Sequence, residues 1–361
     1  MKKYIKSFCI FMLVSMTLSP QIVFAEDKNI EYITIRSIGD ILIHTDVYEA
    51  AATEDGFDFD YMFEPVKKYL ENADITTANL EVIAAGDHLP LAGYPTFNAP
   101  SEIIDSLKHV GVDIVNNATN HTLDWGAEGA YDSIQALKAR DMMYVGSYES
   151  WEDAQKPRII ESKGAKVGFL SYARDANGNT ISEDQGYLFS LIDEDIFPQE
   201  IKALADQTDI TMVMFHTGEE YEYLPADYQL RTFRLARDAG ANFVLGGHPH
   251  VVQPFINYNE SQAGIFSHGN FISGQVNIEN KLGSIIEVRY AFNKETKECK
   301  IDRLRLMPTY NAGSYSDYTG QVVPLIDGAD YGLADAQAYF DDFVYRMQTY
   351  TNKVQVVEYL D

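Results

Sequence analysis

The chain has 361 residues, enough for one large domain with an appendage or for two domains, and enough to bury a substantial core. It carries 28 basic and 54 acidic residues for a formal charge of −26, which excludes nucleic acid as a partner, since a phosphate backbone would be repelled rather than neutralised, and disfavours docking on anionic lipid. The excess acid reads as a solubilising surface.

The first 25 residues stand apart. Lys2, Lys3 and Lys6 form a basic start, Phe8 to Leu18 is apolar, and Val23-Phe24-Ala25 places small residues where a signal peptidase reads. This pattern predicts a secretory signal peptide cleaved after Ala25 and a secreted, extracytoplasmic protein of charge −29. The apolar run is short for a membrane span, and Cys9 lies too early in it to read as a lipid-attachment site. Cleavage leaves Cys299 alone, so no internal disulfide is available. No later segment is long and apolar enough to cross a bilayer, so membrane association would require another subunit, such as a synthase or export partner.

Residues 26–31 read as a short polar leader. From Tyr32 strand-like and helix-like segments alternate. A strand over Ile33–Ile38 ends at Gly39-Asp40. Met62, Val66, Tyr69 and Leu70 give helical spacing over 62–72. A strand over 74–78 ends at Asn79-Leu80-Glu81. Ser101 stands where a helix cap would sit, before a helix to about His109. The strand 112–115 leads to Asn120-His121, and a helix covers 127–140. Residues 158–172 predict a hairpin turning at Lys163-Gly164. The strand 210–215 ends at His216, and a helix over 226–239 leads to the strand ending at His248. Further strands are predicted at 251–257, 264–267, 283–292 and 299–307, and a helix near 334–349. The chain divides into a main domain over 26–307 and a C-terminal extension over 308–361, with no internal repeat.

Each notable polar residue follows an apolar strand. In open α/β sheets, ligand sites form beyond the carboxyl ends of the strands, and Asp40, Glu81, Asn120, His121, His216, His248 and His250 all meet that rule. The run Gly246-Gly247-His248-Pro249-His250 is the sharpest signal. Proline stiffens the link between two imidazoles, and neutral histidine is the commonest metal ligand. Carboxylate, amide and imidazole donors without a thiolate suit Mn, Fe or Zn and do not suit Ca. The donors exceed what one ion needs. Two divalent transition-metal ions sharing one carboxylate would use them all and could activate a water.

These residues carry a resemblance. Gly39-Asp40-Ile41-Leu42, Asn79-Leu80-Glu81, Tyr94-Pro95-Thr96-Phe97-Asn98-Ala99-Pro100, Asn120-His121-Thr122-Leu123-Asp124-Trp125-Gly126, His216-Thr217-Gly218-Glu219-Glu220-Tyr221, Gly247-His248-Pro249-His250-Val251-Val252-Gln253-Pro254 and Gly269-Asn270-Phe271 resemble the motifs of calcineurin-like metallophosphoesterases. More closely they resemble the CapA family of poly-γ-glutamate capsule synthesis proteins, over about residues 32–275. The resemblance implies an α/β fold, a four-layer αββα sandwich. It implies that Asp40 and His250 hold a first metal, that Glu81 bridges, and that Asn120, His216 and His248 hold a second. His121 would be the general acid that protonates the leaving group, oriented by Asp124.

The chain departs from the pattern in places. The first motif usually reads Asp-x-His, whereas His44 stands four residues after Asp40. Glu81 replaces an aspartate, Thr217 stands where the family commonly has tryptophan, and His268 replaces an apolar residue. His44, Glu219 and Arg174 are therefore candidates for metal or substrate contact, Arg174 toward an anionic group. Two readings follow. One is a hydrolase acting on a phosphoester or amide-type linkage, with a phosphorylated envelope compound or a capsule polymer as substrate. The other is a non-catalytic assembly or export factor that binds an anionic polymer, poly-γ-glutamate, through its metals.

Overall fold

The computed structural model describes residues 29–317 and 319–361, and the signal-peptide expectation at 1–25, with Cys9, lies outside the described residues. Among them are β1 Ile30–Leu42, β2 Ile75–Leu80, β3 Ile114–Asn116, β4 Met143–Val145, β5 Arg158–Ser162, β6 Ala165–Ala173, β7 Ile210–His216, β8 Phe243–Gly247, β9 Val252–Asn257, β10 Ala263–His268, β11 Asn270–Ser273, β12 Leu282–Asn293, β13 Cys299–Ala312, β14 Gln321–Pro324 and β15 Val354–Val356. They form two sheets. The first runs β14-β13-β12-β1-β2-β3-β4, with β11 beside β1 and β15 beside β13; the second runs β5-β6-β7-β8-β10-β9. β1 to β4 are mutually parallel, as are β6, β7, β8 and β10.

The layers follow from alternation along single strands. In β7, Met212 and Met214 join the core between the sheets, whereas Val213 and Phe215 join a second core beneath helices Phe197–Ala205 and Asp227–Ala239. β8 divides likewise, with Phe243 and Leu245 facing one core and Val244 the other. Both faces of these strands are covered, so they read as near-continuous apolar runs. The first sheet is covered on its outer face by helix Asp60–Glu71, where Thr76 Oγ1 donates to Leu70 O (2.8 Å). The arrangement is the expected four-layer αββα sandwich.

Several expectations change in detail. β1 begins at Ile30, inside the expected polar leader, because Ile30 and Tyr32 pair with Asn293 and Ala291. It also runs past Gly39-Asp40 to Leu42. Ser101 stands at the N-cap position of helix Glu102–His109 but makes no capping bond; Arg140 donates to its hydroxyl at 3.0 Å. The 158–173 hairpin turns at Lys163 (φ 50°) and Gly164 (φ 85°), the two positive-φ residues of a tight turn matched to strand twist. β4, β11, β14 and β15 are three or four residues each, too short to show a period. The expected boundary after residue 307 falls inside β13, and β14 and β15 both pair with that strand. Cys299 is a buried free thiol. Among the described residues no helix is long and apolar enough to cross a membrane.

Candidate metal centre

A bulge in β1 creates the site. Ser37 pairs with Thr77 and Ile38 with Ala78, but Asp40 pairs with Asn79, so Gly39 is an extra residue. Such a bulge turns the next side chain to the other face. Thr77 faces the second sheet, its hydroxyl 3.8 Å from Met214 Sδ, and Asn79 shares that face two residues on. Asp40 therefore points between the sheets. Gly39 tolerates no side chain, since an added Cβ would lie 1.9 Å from Gly269 O.

The other donors arrive on strand ends. Glu81 directly follows β2, and its amide donates to Ile41 O at 3.2 Å. His216 is the last residue of β7, on the same face as Met212 and Met214. β8 delivers His248 and His250, which flank Pro249 with positive φ of 96° and 58°. These are uncommon, strained conformations for non-glycine residues, held only where the surroundings over-determine them. Gly247 lets the chain pass close by: a Cβ there would lie 2.7 Å from both Asn79 Nδ2 and Asp40 Oδ1.

The resulting geometry is tight and largely buried. His250 Nδ1 lies 3.4 Å from Asp40 Oδ2, and His250 Nε2 lies 3.7 Å from Glu81 Oε1. His216 Nε2 lies 3.3 Å from Glu81 Oε1 and 2.9 Å from Asn120 Oδ1. Two sets of three donors each converge within 4.8 Å, Asp40–Glu81–His250 and Glu81–His216–His248, and they share Glu81. Glu81 is fully buried, yet neither of its oxygens makes a hydrogen bond, nor does His248 Nδ1. Buried polar atoms are otherwise almost always satisfied. Orphaned carboxyl oxygens ringed by imidazoles are what a divalent cation would complete, and the nitrogen–oxygen donor set fits Mn, Fe or Zn.

Burial and neighbouring charge split the donors into two groups. Burial pushes Asp40 up, but hydrogen bonding and charge from His250, with His216 and Asn79, hold it down at about 2. Burial and the neighbouring Asp40 charge push Glu81 well above the carboxylate range. Burial holds both His216 and His248 down near about 3, so both offer neutral nitrogens. His250 is raised to about 9, because Glu81 and Asp40 outweigh its desolvation.

Beside the donors, His121 Nδ1 lies 2.8 Å from Asp124 Oδ2, which also accepts from Phe97 N at 2.8 Å. The Phe97 ring meets His121 edge-on at 4.7 Å. His121 is thus held at one nitrogen and one ring edge. The three remaining candidates fall outside both donor sets. His44 Nδ1 lies 3.1 Å from Leu42 O and 3.2 Å from Gly274 N, and its ring meets Phe97 at 5.1 Å. Arg174 stacks 3.5 Å over the ring of Tyr228. Burial raises that phenol to about 12, and its hydrogen bond to the exposed Glu219 adds to the rise. His268 lies buried behind the site, its Nδ1 2.7 Å from Gly246 O.

Four asparagines were missed as site residues. Asn79 Nδ2 donates to Asp40 Oδ1 (2.6 Å) and lies 3.1 Å from His216 Nδ1. Asn116 donates to Asn79. Asn270 Oδ1 lies 2.9 Å from His250 Nδ1. Asn177 reaches Asn120 and His121 from the loop after β6. Asn79 and Asn270 stood inside recognisable motifs, whereas Asn116 reads as a strand residue and Asn177-Gly178 as a turn.

Comparison with known proteins agrees with the motifs. The model of the family described as bacterial capsule synthesis protein PGA_cap matches residues 34–275. The capsule biosynthesis protein CapA of Bacillus anthracis is 30% identical over 255 residues, 68% of this chain and 61% of that protein. The PGA biosynthesis protein CapA of Bacillus subtilis is 31% identical over 176 residues, 48% of this chain and 46% of that protein. The matches thus span less than two thirds of either relative's length. The NAD nucleotidase of Haemophilus influenzae superposes with a TM-score of 0.48 at 10% identity, covering 92% of this chain and 65% of that one, a likeness too slight to speak to chemistry. By its family match and its identity to these relatives, the chain belongs to the bacterial capsule synthesis (CapA) family.

Proposed function

We propose that the protein is an extracytoplasmic metallohydrolase of capsule or cell-envelope polymer metabolism, acting on a phosphoester or amide-type linkage. One observation carries this reading: two donor sets, buried but for the half-buried His248, share the unsatisfied Glu81 and lie beside a His121–Asp124 pair. The capsule-synthesis family supplies the polymer context, with poly-γ-glutamate or a phosphorylated envelope compound as substrate. The basic and apolar pattern of residues 1–25 supports secretion, and a synthase or export subunit would be the partner at the membrane.

Asp40 and His250 would hold one ion and His216, His248 and Asn120 a second, with Glu81 between them. When bound, divalent ions supply Lewis-acid polarisation of the scissile group and activation of water at neutral pH. The chain's own residues do the rest. Asp124 engages His121 Nδ1, which leaves Nε2 to hand a proton to the leaving group. Phe97 restricts rotation of the imidazole and, through its backbone N–H, orients Asp124. The burial of Asp40, Glu81 and His250 keeps these donors from bulk solvent.

The test pairs metal analysis of purified protein with hydrolysis assays on a model phosphodiester and a γ-glutamyl oligomer. Bound transition metal is expected, with turnover falling about 10²- to 10⁴-fold in His121→Ala while metal is retained. Metal-free protein that hydrolyses neither substrate would overturn the proposal. Metal-dependent polymer binding without turnover would favour the assembly reading, in which the acid pair has no task.

A further inference from the structure

Asn120 poses an orientation problem. A carboxamide presents an oxygen on one side and an N–H₂ on the other. Only the oxygen can face a cation, and nothing in the local chain decides which way the group turns. In the structure Asn120 Oδ1 faces His216 Nε2 at 2.9 Å, toward the donors. Its nitrogen points away and donates to Asn177 Oδ1 at 3.3 Å. Turning Asn120 over would set its oxygen against the Asn177 oxygen, acceptor against acceptor. Asn177 Nδ2 lies 3.4 Å from His121 Nδ1, which is itself engaged with Asp124 Oδ2 at 2.8 Å, so the bond from Asn120 is what joins the two amides.

The loop carrying Asn177 is tied to the site at its start. Arg174 N donates to His216 O at 3.1 Å, and Ala173 N to Ser190 O at 2.9 Å. Ala176 is buried. Asn177 N donates to Asp175 Oδ1 at 2.9 Å, and Asn179 N donates to Ala176 O at 2.9 Å. Asn177 itself adopts φ 53°, the left-handed region that asparagine tolerates better than most residues. That conformation turns its side chain back over Asn120 and His121.

We infer that Asn177 is a positioning residue of the metal centre: it fixes the Asn120 carboxamide with its oxygen toward the ion. The inference rests on the metal-centre reading above and adds to it a residue from outside the motif set. Outer partners of this kind set ligand orientation, and their loss costs about 10- to 100-fold in metal affinity.

The experiment titrates the metal-free protein with Mn²⁺ by calorimetry, alongside thermal melting of each metal-free variant to confirm its fold. Asn177→Gly removes the side chain without strain, because glycine accepts a positive φ. It is expected to weaken Mn²⁺ binding by about tenfold. A double-mutant cycle then isolates the route: in an Asn120→Ala background, Asn177→Gly should have no further effect. Asn177→Gly binding like the wild type would overturn the inference, and so would an undiminished effect in the Asn120→Ala background. If the wild type itself takes up no metal, the metal-centre reading fails first and Asn177 loses its role with it.

Discussion

β1 carries two buried charge clusters on opposite faces, only four residues apart. Arg36 points outward toward Tyr69 O on helix Asp60–Glu71 and pairs with Glu287 at 2.8 Å. Asp40, turned by the Gly39 bulge, points inward toward the histidines. Each cluster centres on a fully buried glutamate, Glu287 and Glu81. Glu287 accepts from Arg36, from Arg303 at 2.8 Å and from Arg305 at 2.9 Å, so both oxygens are used. Glu81 has no hydrogen bond at either oxygen. Burial pushes both carboxyls up, but the arginines drag Glu287 below the ordinary range, while Asp40 drives Glu81 further above it. A buried charge is therefore not in itself a mark of function. The cluster that closes on itself is structural, and the open one gathers the donors that the proposed ions would use.

The sharpest way to break this comparison is to make the same substitution twice. Glu287→Gln leaves the buried Arg36 guanidinium without a carboxylate, although Asp361 still pairs with Arg303 and Arg305, and should destabilise the fold by about 3 kcal/mol, read from urea unfolding. Glu81→Gln in metal-free protein should leave stability unchanged or higher, because the amide carries none of the charge that burial and Asp40 disfavour. Equal losses at both positions would erase the distinction. Acid sharpens it further. The folded-state pKa of Glu287 lies below its unfolded value of 4.5, so its contribution is complete above that pH and disappears as pH falls through the folded pKa. Glu287→Gln should flatten the low-pH arm of the stability curve.

Metal binding reverses the ranking. Glu81→Gln should lower Mn²⁺ affinity by more than about 100-fold, beyond the range for outer partners, while a folded fraction of Glu287→Gln should bind like the wild type. Gly39→Ala tests the bulge that separates the faces. Its Cβ would collide with Gly269 O, so a loss of about 1–3 kcal/mol in stability is expected together with weakened metal uptake. Wild-type metal affinity in Gly39→Ala would show that Asp40 does not depend on the bulge. The smallest effect is expected at the exposed Arg174. Arg174→Gln should raise the KM of an anionic substrate by no more than about fivefold, within the ~1 kcal/mol scale of exposed charge interactions, and added salt should abolish the difference.

The two clusters also differ in how far the chain discloses them. His248-Pro249-His250, Asn120-His121 and His216 announce themselves because unusual side chains follow apolar strands, a local pattern. So does the alternation of strands and helices that foretold the layered sheets. The Gly39 bulge was not legible: Gly39-Asp40 reads equally well as a strand end, and only pairing with Asn79 and Asn270 extends β1 to Leu42. The Arg36–Glu287 pair joins positions 251 residues apart, which no periodicity exposes. Asn177 hid because Asn-Gly is so good a turn that a second task leaves no trace.

β1 has one further consequence, in time. Its residues Ile30 to Ile38 lie against Asn293 to Ile285 of β12. A ribosome adding about 5–20 residues per second would make the first strand wait about 15–50 s for that neighbour. Ordering so distant a pair is entropically slow even once both are present. Neither cluster can assemble early in synthesis, since Glu287 lies within β12 and Asp40 N is held by Gly269 O, far along the chain. Both clusters therefore come together only late in the chain's production.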